Sequence, residues 1–507
     1  MAVVLFEYIV LGAASLCTLL FSIFVVSLFR HRYESSRLAS TVTVLGLTLC
    51  LVLVLLIPVD VYNVSMGIDS STGERTEFFQ ESLIRAPFIK LAYHITFASA
   101  LVYIFVLAPF SYFFWEEDEL DISRSSQFFA ALKYTVFTLV IAVALLVLGT
   151  LLKTNSPDEA ADWLKELLKG QSRVDLAILF ATSALSCFAV ILWVLYCPYG
   201  LAALPLALLS SLCKPKRVED DMMDELKAEL AVAKDVKRSL QARSRNSGVN
   251  NKALKNAERR ELLLSKQLKE TKETAPPVKI LTVLAPFFGL LGLLCLVFTL
   301  VIVVSYATTL VEMLSRHDDL SKFVVSVPRI LNPLDFVLTK VSSNFYLSII
   351  TLTIVAFYLL VCLLYSVSQQ GVRIICIKIY KFTLGKTSPQ GLLLTSVFIV
   401  LCLFSFTVAS TSIAPTYISF GSQTFYNSTV ETVQPCYLGV VNTTDCQLTQ
   451  IGTLVTIMSN LLPSMSSLVF LYSGVGFCIM FVVSLMWVVL RRCCCGDKEE
   501  EDDDFMD

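Results

Sequence analysis

Nine long stretches of this 507-residue chain contain no Asp, Glu, Lys or Arg: 8–29, 38–59, 91–115, 134–152, 176–213, 280–311, 341–372, 387–430 and 446–490. They run from 19 to 45 residues, and the next longest, 432–444, has 13, so the two populations do not overlap. A helix of about 20 apolar residues spans a bilayer core. In hydrocarbon every backbone N–H and C=O must find a partner inside the protein, which leaves only helices and closed barrels. Barrel strands alternate apolar and polar residues, whereas these stretches are apolar without alternation. The chain therefore reads as an all-α polytopic membrane protein. Nine transmembrane helices are expected, near 4–29, 39–58, 90–114, 132–152, 176–197, 281–306, 345–367, 391–412 and 466–490. Composition agrees: 16% of residues are charged, against about 25% in soluble domains. A net charge of −2 offers no basic field to a nucleic acid.

The first apolar run has no basic residue before it and Arg30, His31, Arg32 and Arg37 after it. A cleavable signal has its basic residues first and a shorter apolar region, so this run reads as a retained helix. The positive-inside rule then places the N-terminus in the lumen, and nine crossings leave the C-terminus in the cytosol. Of the 40 Lys and Arg residues, 17 fall in the expected cytosolic segment 213–279. Long loops obey the rule poorly, and without that segment the two sides balance. Glycosylation signals add an independent argument. Asn-X-Ser/Thr occurs at Asn63, Asn427 and Asn442, all in loops that this topology makes luminal.

Most of the 15 cysteines lie in or beside helices, where a thiol is a small buried hydrophobe. Cys436 and Cys446 are different: nine residues separate them in the polar loop 413–452, between two glycosylation signals. In an oxidising lumen that pair predicts a disulfide. The loop contains no His to complete a zinc site.

Four parts follow: the first five crossings (1–212), a cytosolic insertion (213–279), four further crossings (280–490) with the luminal loop, and an acidic tail (491–507). Within the insertion, Leu226, Leu230, Ala233, Val236 and Leu240 recur at helical spacing, as do Leu254, Ala257, Glu261, Leu264 and Leu268. Ser244–Asn251 between them is rich in turn formers. Two amphipathic helices folded into a helical hairpin are expected, either capping the bundle or docking a partner. Glu258 with Leu262 and Leu263 fits an acidic-x-x-x-Leu-Leu sorting signal, and equally an ordinary helix surface. Cys493, Cys494 and Cys495 are juxtamembrane thiols of the kind that take palmitoyl chains.

The chemistry of a membrane enzyme is not visible. Gly385-Lys386-Thr387 lacks the glycine five positions earlier that a P-loop needs, since position 380 is Tyr. Three histidines, His31, His94 and His317, suggest neither a metal cluster nor a catalytic triad. No expected span carries a central carboxylate or lysine of the kind proton-coupled transporters use. Asp60, just past Pro58, and Asp335, in Asn332-Pro333-Leu334-Asp335, lie at the luminal rim. Each reads either as a helix cap or interface salt bridge, or as a ligand contact on a transport path.

Several stretches resemble one family throughout their order and spacing. They are Leu56–Asp60, Ala131–Thr135, Tyr199–Pro205, Asn332–Asp335, the Arg373–Gln390 loop, Ala414-Pro415 and Phe420–Gln423. The family is that of limb-region-1 and lipocalin-receptor membrane proteins, and the likeness is to its lysosomal cobalamin-transport branch. The resemblance implies nine transmembrane helices in the lysosomal membrane, with the endoplasmic reticulum or plasma membrane as further stations. It implies a role in moving cobalamin from lumen to cytosol together with an ATP-binding cassette transporter of the D subfamily. The alternatives are a cobalamin transporter in its own right and an endocytic receptor of the lipocalin-receptor type. No corrinoid-binding residue carries over, no prosthetic group is implied, and the Asp-x-His-x-x-Gly signature of soluble cobalamin domains is missing from the sequence.

Overall fold

The computed structural model describes residues 2–31, 36–118, 124–152, 172–213, 226–239, 260–262, 264–265, 268, 278–315, 330–342, 345–374, 377–380, 387–427, 431–437, 446–461 and 465–494. They fall into two compact units: Met1–Ala203 with Phe298–Asp507, and Leu204–Val297. The long elements are α1 (Ala2–Phe29), α2 (Arg37–Ser65) and α3 (Phe79–Val102), the last running through a π-helical stretch, Tyr103–Leu107, into α4 (Ala108–Asp118). Then come α5 (Arg124–Leu152), α6 (Arg173–Cys213), α7 (Val278–Ser315), the short α8 (Pro333–Val341) and α9 (Phe345–Gln370). A small antiparallel hairpin, β1 (Val372–Ile374) with β2 (Ile377–Tyr380), precedes α10 (Pro389–Ile413) and α11 (Pro415–Phe420). A second hairpin, β3 (Thr424–Asn427) with β4 (Thr432–Pro435), leads to α12 (Gln450–Leu461) and α13 (Met465–Cys494).

Among the described residues, eight helices are long and apolar enough to cross a membrane. They are α2, α3 with α4, α5, α6, α7, α9, α10 and α13; α1 adds a shorter apolar stretch, Ala14–Phe29. The helices overrun the charge-free stretches. Span three was expected from residue 90, yet α3 begins at Phe79 and carries Glu81, Arg85 and Lys90. Arg85 and Glu81 pair at 2.8 Å one helical turn apart, a modest support for the charged start of the helix. Likewise α2 continues past Pro58 to Ser65. A proline removes one ladder bond, which a helix packed among neighbours tolerates.

The centre of the larger unit is α10. All its residues are buried except Gln390, Leu394, Val397 and Leu401, which are half-buried. Those four step by 4, 3 and 4, a single narrow stripe on an otherwise enclosed helix. Burying the hydroxyls of Thr407, Ser410, Thr411 and Ser412 costs little because each donates to a carbonyl of its own helix three or four residues back. Across from them, Ser186 of α6 donates to the Phe404 carbonyl at 3.4 Å. Where α6 crosses α9 the backbones touch: a Cβ on Gly200 would lie 2.0 Å from the Cys362 carbonyl oxygen. In the π-helical stretch, the fully buried Tyr103 packs its ring over Gly46 of α2 and shares a 2.5 Å hydrogen bond with Ser396 of α10.

By contrast α5 is peripheral. Phe129, Phe137 and Val140 are among its many exposed apolar side chains, as expected for a face that meets lipid. It is held to α4 by rings, Phe110 on Phe128 at 5.5 Å and Phe113 on Tyr134 at 4.8 Å.

In the smaller unit, Gly292 lets α7 approach α6 closely, since a Cβ there would sit 2.8 Å from the Leu209 nitrogen. Of the expected hairpin, residues 226–239 are helical. Leu226, Ala233 and Leu264 are buried and Lys237 pairs with Glu261 at 2.8 Å. Val236, placed inward by the periodicity, is instead exposed.

Candidate functional site

The chain between α10 and α12 builds a cap over one end of the bundle, and its construction starts from unmet backbone donors. The first N–H groups of any helix have no partner within it. In α11, Pro415 has no N–H and Ala414 offers no side-chain cap. The two donors that follow are met from another element: Asp335 of α8 accepts from Thr416 N at 3.1 Å and from Tyr417 N at 2.9 Å. In α12, Thr449 caps Gly452 N locally at 3.0 Å. The two donors before it go to Asp60 of α2, Gln450 N at 3.1 Å and Ile451 N at 2.7 Å. Both carboxylates are buried, and each clasps the start of a helix flanking the loop 421–449.

Each clasp is itself held. Asn332 caps α8, its side-chain oxygen accepting from Leu334 N and Asp335 N. Its amide donates to the carbonyls of Ser305 and Ile413 and to the Thr309 hydroxyl. Asn-Pro-Leu-Asp is thus a helix start whose fourth residue reaches away to a different helix. Burial pushes the Asp335 carboxyl up from the usual range to about 6, its backbone N–H partners pull it down, and Glu312 nearby adds a smaller upward push. On the other side the fully buried Tyr93 hydroxyl of α3 lies close to Asp60.

Between the clasps the loop has its own small core. Cys436 and Cys446 form a disulfide, buried with Phe420 and Phe425. Gln423 ties the two strands of chain together: its amide nitrogen donates to the carbonyls of Phe420 and Gln447, and its oxygen accepts from Gln447 N at 2.9 Å. Gly421 has φ +63°, and a Cβ there would meet Ser65 Oγ at 2.1 Å. The cap rests on the turn after α2, where Thr424 Oγ1 donates to the carbonyls of Asp69 and Ser70. Asp69 shapes that turn by accepting from the Ser71 N–H and hydroxyl, which hold its carboxyl below the usual range.

The sequence-derived candidates fare unequally. Asp60 and Asp335 are not open to a ligand: their oxygens are occupied by backbone donors, the cap alternative of the two. The glycan expected on Asn63 is corrected. Asn63 is a buried helical residue of α2 whose amide donates to the Ser82 carbonyl at 3.1 Å, leaving no access for a sugar. Asn427 ends β3 and donates to the Gln434 side chain at 3.2 Å, near the surface. Asn442, Glu258, Leu263 and Cys495 lie outside the described residues. Leu262 is exposed, and Cys493 and Cys494 end α13. The charge-based reading missed Tyr93, Gln423 and Ser65, and it missed α12 altogether. Pro463, preceded by Ser459-Asn460, was a break signal within the charge-free stretch 446–490.

These features define a polytopic helical membrane protein with a disulfide-braced cap clasped to its bundle by two buried carboxylates. The chain belongs to the LMBR1-like membrane protein family, whose family model matches residues 7–280, more than half its length. It is 29% identical over 446 residues to the "Probable lysosomal cobalamin transporter" of Dictyostelium discoideum, covering 85% of each chain. It is 27% identical over 430 residues to the protein of that name from Nematostella vectensis, covering 81% of this chain and 78% of the relative. It is 26% identical over 454 residues to "Lysosomal cobalamin transport escort protein LMBD1" of Gallus gallus, covering 86% and 83%. No solved structure matches.

Proposed function

We propose that this chain is a lysosomal membrane protein that serves export of cobalamin from lumen to cytosol, as an escort or subunit of an ATP-binding cassette exporter of the D subfamily. The observation that carries the reading is the span of the likeness: the three relatives above, named for lysosomal cobalamin transport or its escort, align over 81% to 86% of the chain. On this reading the N-terminus is luminal, nine helices cross, and the cap faces an oxidising lumen that suits its disulfide. Residues 213–279 face the cytosol and dock the exporter.

The geometry favours holding over conducting. The central helix α10 is enclosed, and two cavities beside it, one lined by Thr43, Leu392 and Thr395 and one by Ile57, Val355 and Phe406, each hold about 20 Å³. That is room for little more than one water, so neither of these two cavities could hold a corrinoid. Uphill export also needs an energy input, for which a partner's ATP hydrolysis suffices.

The test is uptake of labelled cobalamin into proteoliposomes holding the purified protein, then the protein with the exporter. The expected result is no transport by the protein alone, and weaker association with the exporter after deletion of residues 219–273. Robust transport by the protein alone would overturn the escort reading. One observation favours that second reading, a conduit. The short helix α12 enters the bundle from the capped end, and Ser183 of α6 donates to its Met458 carbonyl at 2.8 Å. Ser183 is the eleventh residue of α6, about 15 Å along it, so α12 ends near mid-bundle. Transporter sites are often built on such interrupted helices.

A further inference from the structure

A second polar cluster joins α3 to α6, apart from the two clasps. Ser172 and Asp175 form a reciprocal cap at the start of α6: Asp175 N donates to Ser172 Oγ and Ser172 N to Asp175 Oδ2, both at 3.1 Å. The same carboxylate faces α3, with Lys90 Nζ at 3.8 Å and His94 Nε2 at 3.6 Å. His94 is buried, and its Nδ1 lies 2.8 Å from the Lys90 carbonyl oxygen. A carbonyl can only accept, so Nδ1 carries the proton and the neutral ring presents a bare lone pair at Nε2. That lone pair has no hydrogen-bond partner and meets a carboxylate oxygen, acceptor against acceptor. One proton converts the contact into an imidazolium–carboxylate pair.

We propose that His94 and Asp175 form an acid-strengthened latch between α3 and α6. Histidine is the side chain whose ordinary titration falls between about pH 5 and 8. Ionisable groups within membrane-spanning helices are functional candidates by default. The Asp175 and Lys90 side chains are 25% and 28% exposed, so protons reach the cluster from solvent. Among the described residues of the other elements packed on α3, α2 brings Asp60, which lies by Tyr93, while α12 and α10 bring no carboxylate and no basic side chain. Partial burial works against the charged form of Asp175, but the Ser172 hydrogen bonds, with a smaller contribution from Lys90, hold its carboxyl below the usual range, in the form His94 needs when it takes up a proton. On the luminal orientation proposed above this end of the bundle meets an acidic compartment, but the latch itself does not depend on that reading.

Hydrogen exchange of the purified full chain tests it, at about pH 7.5 and about pH 5 with intrinsic rates corrected. Amides of the first two turns of α6 are expected to slow by about threefold or more on acidification. His94→Gln, which keeps a polar side chain, and Asp175→Asn, which keeps a capping oxygen, should each abolish the slowing. No acid-dependent slowing in the wild type overturns the latch. Slowing that survives in either variant overturns it too, since the pair acts only jointly.

Discussion

The two clasps solve one problem in different surroundings. Asp60 extends from a membrane-spanning helix and, with Thr449, completes the N-terminus of a twelve-residue helix that enters the bundle. Asp335 extends from a nine-residue helix outside the long spans and completes a six-residue one. Asp60 has a tyrosine hydroxyl for company, whereas Asp335 has another carboxylate, Glu312. The same two-donor geometry is thus set against a dipole in one case and a like charge in the other. Burial depth and neighbours, not hydrogen-bond count, should decide how each clasp responds to mutation and to pH.

Removing the deeper clasp should show the largest effect. Asp60→Ala strands the buried Ile451 N–H and the partly buried Gln450 N–H at the start of α12, at about 1–3 kcal/mol each. A detergent-solubilised thermal or denaturant melt is expected to show about 2–6 kcal/mol of destabilisation in total. A loss below that of Asp335→Ala would reverse the order of the two clasps.

Reduction of the cap comes next. Cys436→Ser with Cys446→Ser should cost about 2–4 kcal/mol, since the bridge restricts the unfolded loop. Proteolysis within 421–449 should quicken while the spans stay intact.

The pH response separates the clasps directly. The folded Asp335 carboxyl, at about 6, holds its proton more tightly than the ordinary value of 3.8. Its contribution to stability is therefore present at the acid end and is lost as pH rises from about 4 to about 6, then stays flat. The full shift corresponds to about 3 kcal/mol. Melts across that window should show this slope in the wild type and its loss in Asp335→Asn.

The smallest effect should be seen at the two asparagines beside the cap. Asn427→Gln is expected to raise electrophoretic mobility by one glycan, while Asn63→Gln leaves it unchanged. A glycan on Asn63, found by peptide mass spectrometry, would mean that the end of α2 is not packed as described.

The membrane class was legible because hydrocarbon forbids charge, and soluble domains seldom run so far without one. The disulfide was legible because two cysteines stood alone in a polar loop. Charge alone did not reveal α12, because α12 and α13 share one charge-free stretch; the break between them is made by uncharged residues, of which Pro463 was the local signal. Asn63 was misjudged for a related reason: helices continue beyond the apolar stretch, so a residue past the last apolar position was taken for loop. For Asp60 and Asp335 the residue type and place suggested a cap. Which helix each would cap rests on pairings 390 and 81 positions apart, and no local pattern encodes those.

The partner of Asp60 in α12 is 391 residues further along the chain. At about 5–20 residues per second of synthesis, that carboxylate waits about 20–80 s for the donors that complete it. Throughout the wait, α2 sits in the membrane with a carboxylate short of its two backbone donors, and only about the final ninth of the chain supplies them. Late truncations should therefore be felt at the beginning of the molecule: a protein stopped before residue 450 would carry an early helix marked as unfinished. Biogenesis of the fold thus ends where it began, with the last-made segments sealing one of the first.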